Sequence, residues 1–152
     1  MSESLVPAPA MVRQPLRTPA LLAWLRLARV YQKVDRASAE HLRPWGLTVA
    51  QFDVLAQVGA AEGLSQGELA EHLLVTKGNV TQLLDRLEHA GLVVRRQEGR
   101  TNRLYLTTRG RQLVADVVPS QEELIVGLFT TLSTVEQESL LTTLRRLDHT
   151  LP

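Results

Sequence analysis

One segment of this sequence places hydrogen-bonding side chains on a single helical face. Over residues 77–90, at about 100° per residue, an apolar arc opposes a polar one. The apolar arc contains Val80, Leu83, Leu84 and Leu87. The polar arc contains Gly78, Thr81, Gln82, Asp85, Arg86 and His89. Amides and hydroxyls near a helix N-terminus can bind base edges in a major groove, and cations can bind phosphates. The segment therefore predicts a helix that reads nucleic acid, with an ordinary solvated helix face as the alternative.

A second helix is predicted directly before this one. Ser65 and Glu68 form an S-x-x-E pattern, in which the hydroxyl and the carboxylate cap the first backbone N–H groups of a helix. The helix is expected to begin near Gln66 and to continue through the apolar stripe that ends at Leu74. The β-branched pair Val75-Thr76 interrupts it, and Thr76 can cap the next helix. The pattern predicts two helices at a sharp angle, with Gly91 ending the second.

A β-hairpin is predicted after the two helices. Residues 92–96 and 103–107 are rich in β-branched, leucine and aromatic residues, and residues 98–102 are typical of a turn. Alternation along the second strand directs Leu104 and Leu106 toward the core, which leaves Arg103 outward beside Arg100 at the tip. The arginines favour contact with a duplex backbone. The alternative is a plain hairpin whose arginines only confer solubility.

The net charge of +1 is unevenly distributed along the chain. Residues 77–111 contain eight Lys or Arg and three Asp or Glu, a net charge of +5, whereas residues 112–152 have a net charge of −4. Positive charge concentrated around the reading helix and hairpin indicates a polyanionic partner.

Four stretches resemble the MarR-type winged-helix transcription regulators. They are GLTVAQFDVL (residues 46–55), LSQGELA (64–70), VTKGNVTQLLDRLEHAGLV (75–93) and LTTRG (106–110). The resemblance extends to residues 128–136 and thus covers nearly everything after the N-terminal tail. In one departure, the family's wing usually carries D-R-R, where this chain has Glu98, Gly99 and Arg100. The wing therefore has one arginine fewer.

The resemblance implies a mainly α fold with a small β-hairpin wing, an α+β winged helix. It implies an obligate homodimer formed through the N- and C-terminal helices. We expect a flexible arm over residues 1–18 and a single domain over 19–151. Residues 19–44 and 108–151 would form the dimerisation helices, and residues 46–107 the DNA-binding lobe.

The flanking segments support this organisation from their own residues. The first 19 residues contain four prolines and no periodicity, which predicts a disordered arm. Thr18-Pro19, Thr48 with Gln51, Thr107 or Thr108, and Ser133 with Glu136 predict helix starts. Pro44 and Gly46 end the first of these helices, and Pro119 is expected to kink a later one. The first and last helices carry more apolar surface than one subunit can cover.

The predicted DNA contacts are the polar and basic groups of the two reading helices and the wing. They are Ser65, Gln66, Thr76, Lys77, Gly78, Asn79, Thr81, Gln82, Arg86, Arg95, Arg100 and Arg103. The function predicted from the resemblance is a sequence-specific double-stranded DNA-binding regulator, a ligand-responsive repressor that binds a pseudo-palindromic operator. The alternative is a winged-helix adaptor that binds a protein and not DNA.

The resemblance also implies a small aromatic or phenolic effector, bound between the dimer helices and the winged lobe. The residues able to line such a site are Trp24, Tyr31, His41, Trp45 and Phe52. The alternative is that Trp24, Tyr31 and Phe52 belong to the core.

Catalytic and metal-binding patterns are not found in the sequence. The four histidines are scattered, and there is no H-E-x-x-H, G-x-S-x-G or phosphate-binding glycine loop. We expect neither an enzyme nor a cofactor or metal. The chain has no cysteine and no apolar run of about 20 residues, from which we expect a cytoplasmic protein without disulfides or membrane contact.

Overall fold

The computed structural model describes residues 18–73 and 77–152, and at residues 77 and 78 only the backbone. The predicted N-terminal arm, apart from Thr18, and the predicted cap Thr76 lie outside the described residues. The elements in chain order are α1 (Pro19–Leu42), a 3-10 turn (Arg43–Trp45), α2 (Val49–Ala60), α3 (Gln66–His72), α4 (Lys77–His89), β1 (Val93–Glu98), β2 (Thr101–Leu106), α5 (Thr108–Leu128) and α6 (Thr134–Thr150). The chain divides into two compact units between Gln32 and Lys33. None of the described helices is long and apolar enough to cross a bilayer.

The helix starts that the sequence predicts are formed by side-chain caps. Thr48, Ser65 and Ser133 each accept a hydrogen bond from the backbone N–H three residues on, within a complete capping box. Thr107 caps α5 by accepting from the Gly110 N–H at 2.9 Å. Because the first N–H groups of a helix have no partner within it, these bonds fix where each helix begins.

The core of the second unit lies around α2, α4 and the hairpin. Val80, Leu84 and Leu87 on α4 are at most 1% exposed, and Leu83 is 9% exposed. They pack in one cluster with Val54, Leu55 and Val58 of α2 and with Leu104 and Leu106 of β2. The predicted apolar arc of α4 is therefore confirmed as its buried face.

The hairpin is tighter than the sequence indicated. Glu98 pairs with Thr101, so that the turn is only Gly99-Arg100 and not residues 98–102. Gly99 has a φ of +63°, as a two-residue hairpin turn with glycine at its first central position requires. The predicted strands were too short because a positive φ at Gly99 lets both strands continue to the tip.

The second strand also hydrogen-bonds to the segment that leads into α3. The Gly63 N–H donates to the Leu104 carbonyl at 2.8 Å, and the Leu104 N–H donates to the Leu64 carbonyl at 3.0 Å. Ser65, the cap of α3, forms a bridge with Arg103. The base of the wing is thereby joined by its backbone to the start of the helix pair.

Large apolar side chains are exposed on α1 and on α6. On α1, Trp24 is 62% and Leu22 52% exposed, and on α6, Val135 is 74% and Leu147 47% exposed. The excess of apolar surface that the sequence indicated is present on each helix, and homodimerisation remains a prediction.

One glycine, Gly110, sets how closely α5 approaches the turn between α4 and β1. A Cβ at Gly110 would lie 2.1 Å from the carbonyl oxygen of Leu92, a backbone atom that cannot rotate away. The glycine of the L-T-T-R-G motif therefore allows α5 to leave the hairpin in this direction.

We expect Gly110→Ala to destabilise the protein by about 2–3 kcal/mol, because the clash forces a backbone shift in a packed region. Gly127→Ala is the matched control, since a Cβ at Gly127, also in α5, meets no atom of the described residues within 4 Å. That variant should be neutral or more stable by up to about 1 kcal/mol, because alanine is the better helix former. Urea denaturation measures both, and equal effects would show that the close approach has no influence on stability.

Candidate nucleic-acid interface

The exposed side of α4 carries the polar residues that the sequence singled out. Asn79, Thr81, Gln82 and Arg86 are all exposed, on the side of the helix away from buried Val80, Leu84 and Leu87. This side of the helix is therefore accessible to solvent. Lys77 and Gly78 lie in the first turn of the same helix.

A hydrogen bond joins α3 to α4 on this surface. The Gln66 side chain donates from Nε2 to Thr81 Oγ1 at 2.8 Å. Ser65, which caps α3, bonds to Glu68 through its N–H and hydroxyl, and these bonds hold the pKa of Glu68 below its usual value. Two of the predicted contacts on α3 thus also fix the local geometry of the helix pair.

Arg95 does not point away from the protein. Its guanidinium donates from Nε and Nη2 to Glu88 Oε2, at 3.1 and 2.8 Å, and also contacts Asp85. Both carboxylates belong to α4, so Arg95 of β1 is bound to the reading helix. The sequence suggested a free cation at this position, but the Arg95 guanidinium is paired with carboxylates of the same chain.

Arg103 also differs from the expectation. Leu104 and Leu106 are buried as predicted, but Arg103 is not free beside the tip. Its Nη1 donates to the Gly63 carbonyl at 2.9 Å, and its Nε is 3.1 Å from Glu98 Oε2. Glu98 also accepts from the Tyr105 hydroxyl at 3.2 Å. The guanidinium turns back because Glu98 and Gly63 offer acceptors within its reach.

Fewer cations are consequently available to a polyanion than the number of Lys and Arg residues in the segment 77–111 suggests. Within the described residues, the arginines of the segment 77–111 that bond to internal acceptors are Arg95, Arg103, Arg109 and Arg111. Arg96 lies over the Tyr105 ring, 5.0 Å from its centroid. Arg86 and Arg100 have no side-chain partner in the part of the chain that the structure describes, and both are exposed. They are the best placed to meet phosphates.

The residues predicted to bind an effector lie in different environments. Trp24 and Tyr31 belong to the first unit and are 62% and 57% exposed, so neither is a core residue of this chain. In the second unit, His41 shares a 2.9 Å hydrogen bond with Ser120 and lies 5.5 Å, centroid to centroid, from Trp45. Phe52 is half-buried and packs against the core. This agrees with the alternative interpretation, in which Phe52 belongs to the core.

A cavity of about 420 Å³ lies in the second unit. Trp45 lines it, but the other residues predicted to bind an effector do not. Its polar lining consists of Gln51, Arg109, Gln112 and Asp116. Three of these residues lie on α5, for which the sequence predicted only a role in dimerisation. The sequence feature that could have indicated this cavity is Arg109, the arginine of the L-T-T-R-G motif.

Comparison with known proteins places these features in a family. The model of the MarR family matches residues 45–103. An uncharacterized HTH-type transcriptional regulator of Bacillus cereus is 37% identical over 120 residues, which cover 79% of this chain and 82% of the relative.

Solved structures of similar proteins have the same fold. The Staphylococcus aureus MepR–DNA complex aligns with a TM-score of 0.78 and 26% identity, over 86% of this chain and 98% of that one. A MarR family protein of Mycobacterium tuberculosis in complex with salicylic acid aligns with a TM-score of 0.66 and 31% identity, over 83% of this chain and 95% of that one.

The fold that carries these features is thus shared with relatives that match across most of their length. The chain belongs to the MarR family of winged helix-turn-helix transcriptional regulators.

Proposed function

We propose that this protein regulates transcription by binding double-stranded DNA in a sequence-specific manner. The observation that carries the proposal is the exposed polar face of α4, where Asn79, Thr81 and Gln82 adjoin Arg86, whose guanidinium has no partner among the described residues. Amide and hydroxyl groups suit base edges, and an unpaired guanidinium suits phosphate. The MepR relative, whose structure was solved with DNA, supports this assignment.

The DNA-binding form is a homodimer on a pseudo-palindromic operator. The exposed apolar residues of α1 and α6 support this, because such surface on a water-soluble regulator favours burial against a second copy. Two reading helices related by a two-fold axis would contact two half-sites of opposite orientation. The simplest outcome on a promoter is repression.

A small aromatic or phenolic anion is the proposed effector. The relative solved with salicylic acid supports this class of ligand. Within the second unit, His41, Trp45 and Phe52 are the proposed lining. Release of labelled duplex during a salicylate titration tests the idea, and unchanged DNA affinity up to millimolar salicylate would exclude this effector.

An adaptor that binds only proteins is the competing function. The exposed face of α4 is polar and has no large apolar anchor among its described residues, and such anchors dominate protein–protein interfaces. This observation favours DNA over a protein partner.

We expect the protein to be a dimer of about twice 16.9 kDa in solution. Light scattering at micromolar concentration measures the mass. Leu147→Glu, which places a charge on exposed apolar surface of α6, should shift the equilibrium toward monomer, whereas Arg146→Ala on the same helix should leave it unchanged. A wild-type monomer would remove the basis for two-fold operator recognition.

We expect Gln82→Ala to weaken binding to the specific operator by about 1–3 kcal/mol, with little effect on random duplex, because a base-edge contact carries sequence information. Arg86→Ala should weaken both duplexes, because phosphate contacts are independent of sequence. Fluorescence anisotropy on the two duplexes separates these effects. Equal losses for Gln82→Ala on both would place that residue away from the bases.

We expect Arg100→Ala to reduce the slope of log affinity against log salt by about 1, because each lost phosphate contact keeps one counterion on the DNA. Arg103→Ala should change the slope much less, because its guanidinium is bound to Glu98 and Gly63. Titrations at several salt concentrations on operator and scrambled duplex give both slopes. If Arg100→Ala leaves the slope unchanged, the hairpin tip does not contact DNA.

A further inference from the structure

The contacts between Arg95 and α4 form a clamp with several bonds, which we name the Arg95 clamp (Arg95, Asp85 and Glu88). Glu88 Oε1 accepts from the backbone N–H of Arg95 at 3.3 Å, while Glu88 Oε2 accepts from its guanidinium at 2.8 Å. Asp85 adds a further ion pair on the same guanidinium. One arginine thus joins β1 to α4 through both its backbone and its side chain.

The clamp occupies the side of the hairpin that faces the helices. Arg95 lies opposite Leu104 in the strand pair, and Leu104 is completely buried. The Arg95 side chain is only 20% exposed. The guanidinium is therefore directed at α4 and not at the surface that a duplex would approach.

Two carboxylates on one guanidinium leave the clamp with a net charge of −1. A phosphate that approached Arg95 would meet Asp85 and Glu88 at the same time, and like charges at this range repel. These carboxylates also raise the pKa of Arg95 above its usual value. The electrostatics suit an internal connection better than a contact to DNA.

Asp85 and Glu88 share α4 with the residues proposed to read DNA. Asp85 is three residues after Gln82 and one before Arg86, so any constraint on Asp85 also limits rotation of α4 about its axis. At the other end of the clamp, β1 leads from Arg95 to the wing tip at Gly99-Arg100. The reading helix and the wing must engage one duplex together, and the clamp connects them.

We propose that Arg95 is a positioning residue, which holds the wing at a fixed distance and angle from the reading helix through Asp85 and Glu88 and does not itself contact DNA. This inference rests on the proposed DNA-binding function. It replaces the direct contact that the sequence suggested for Arg95.

The decisive variant is Glu88→Gln, because the two roles of Arg95 predict opposite signs. If Arg95 positions the wing, Glu88→Gln weakens operator binding about tenfold, and the double variant Arg95→Ala with Glu88→Gln is no weaker than Arg95→Ala alone. If Arg95 contacts phosphate, removing a carboxylate frees it, so affinity rises and the salt slope steepens by about 1. Tighter binding by Glu88→Gln would overturn the proposal.

Arg95→Lys gives a second, independent distinction. Lysine keeps the positive charge but lacks the planar fork that bridges two carboxylates. A positioning role therefore predicts loss close to that of Arg95→Ala, with the salt slope of the wild type. A phosphate contact predicts that lysine restores most of the affinity.

A measurement without DNA separates this inference from the proposed function. The chain contains no cysteine, so spin labels attach only at introduced cysteines, here Gln82→Cys and Arg100→Cys. With labelled chains diluted in unlabelled protein, electron–electron distances report the separation between α4 and the wing tip. We expect Arg95→Lys and Glu88→Gln to broaden or shift this distribution while urea denaturation still shows a cooperative fold. An unchanged distribution would overturn the clamp, whereas absence of DNA binding by the wild type would overturn only the proposed function.

Discussion

Burial of the apolar arc of α4 is the constraint on which the proposed interface depends. Val80, Leu84 and Leu87 pack into the cluster shared with α2 and β2, and each is at most 1% exposed. Rotation of α4 by a third of a turn would bring these residues into water at about 1.5–3 kcal/mol each. The polar arc with Gln82 and Arg86 is therefore held outward chiefly by the packing of the opposite arc, and the contacts of Thr81 and Asp85 add to this constraint.

Internal bonding decides which charges remain for a partner. Three ion-paired arginines of the segment 77–111 hold Glu62, Glu98, Asp85 and Glu88. Exposed pairs of this kind contribute little to stability, but they orient the elements that carry them. Arg111, for example, bonds to Glu62, whose carboxylate also accepts from the Leu106 N–H at 2.9 Å. Positive charge is thus used to fix the wing as well as to attract DNA.

The departure from the usual wing sequence has a conformational reason. Gly99 occupies the first central position of a two-residue turn with a φ of +63°, where an arginine side chain would be strained. The tight turn leaves Arg100 as the exposed cation at the tip, while Glu98 pairs with Arg103 at its base. Glycine at this position thus permits the tight turn and at the same time leaves the wing with one arginine fewer.

The sequence by itself determined the local structure of this protein. Capping boxes at Thr48, Ser65 and Ser133, and the spacing of apolar residues along α4, depend on contacts within a few residues and are confirmed. Alternation likewise placed Leu104 and Leu106 inside. Only the tertiary structure decided where the guanidiniums point, because Arg95 meets Asp85 and Glu88 across a turn, and Arg103 meets the Gly63 carbonyl forty residues away along the chain. A long flexible side chain follows the nearest acceptor in space, and sequence spacing does not encode that distance.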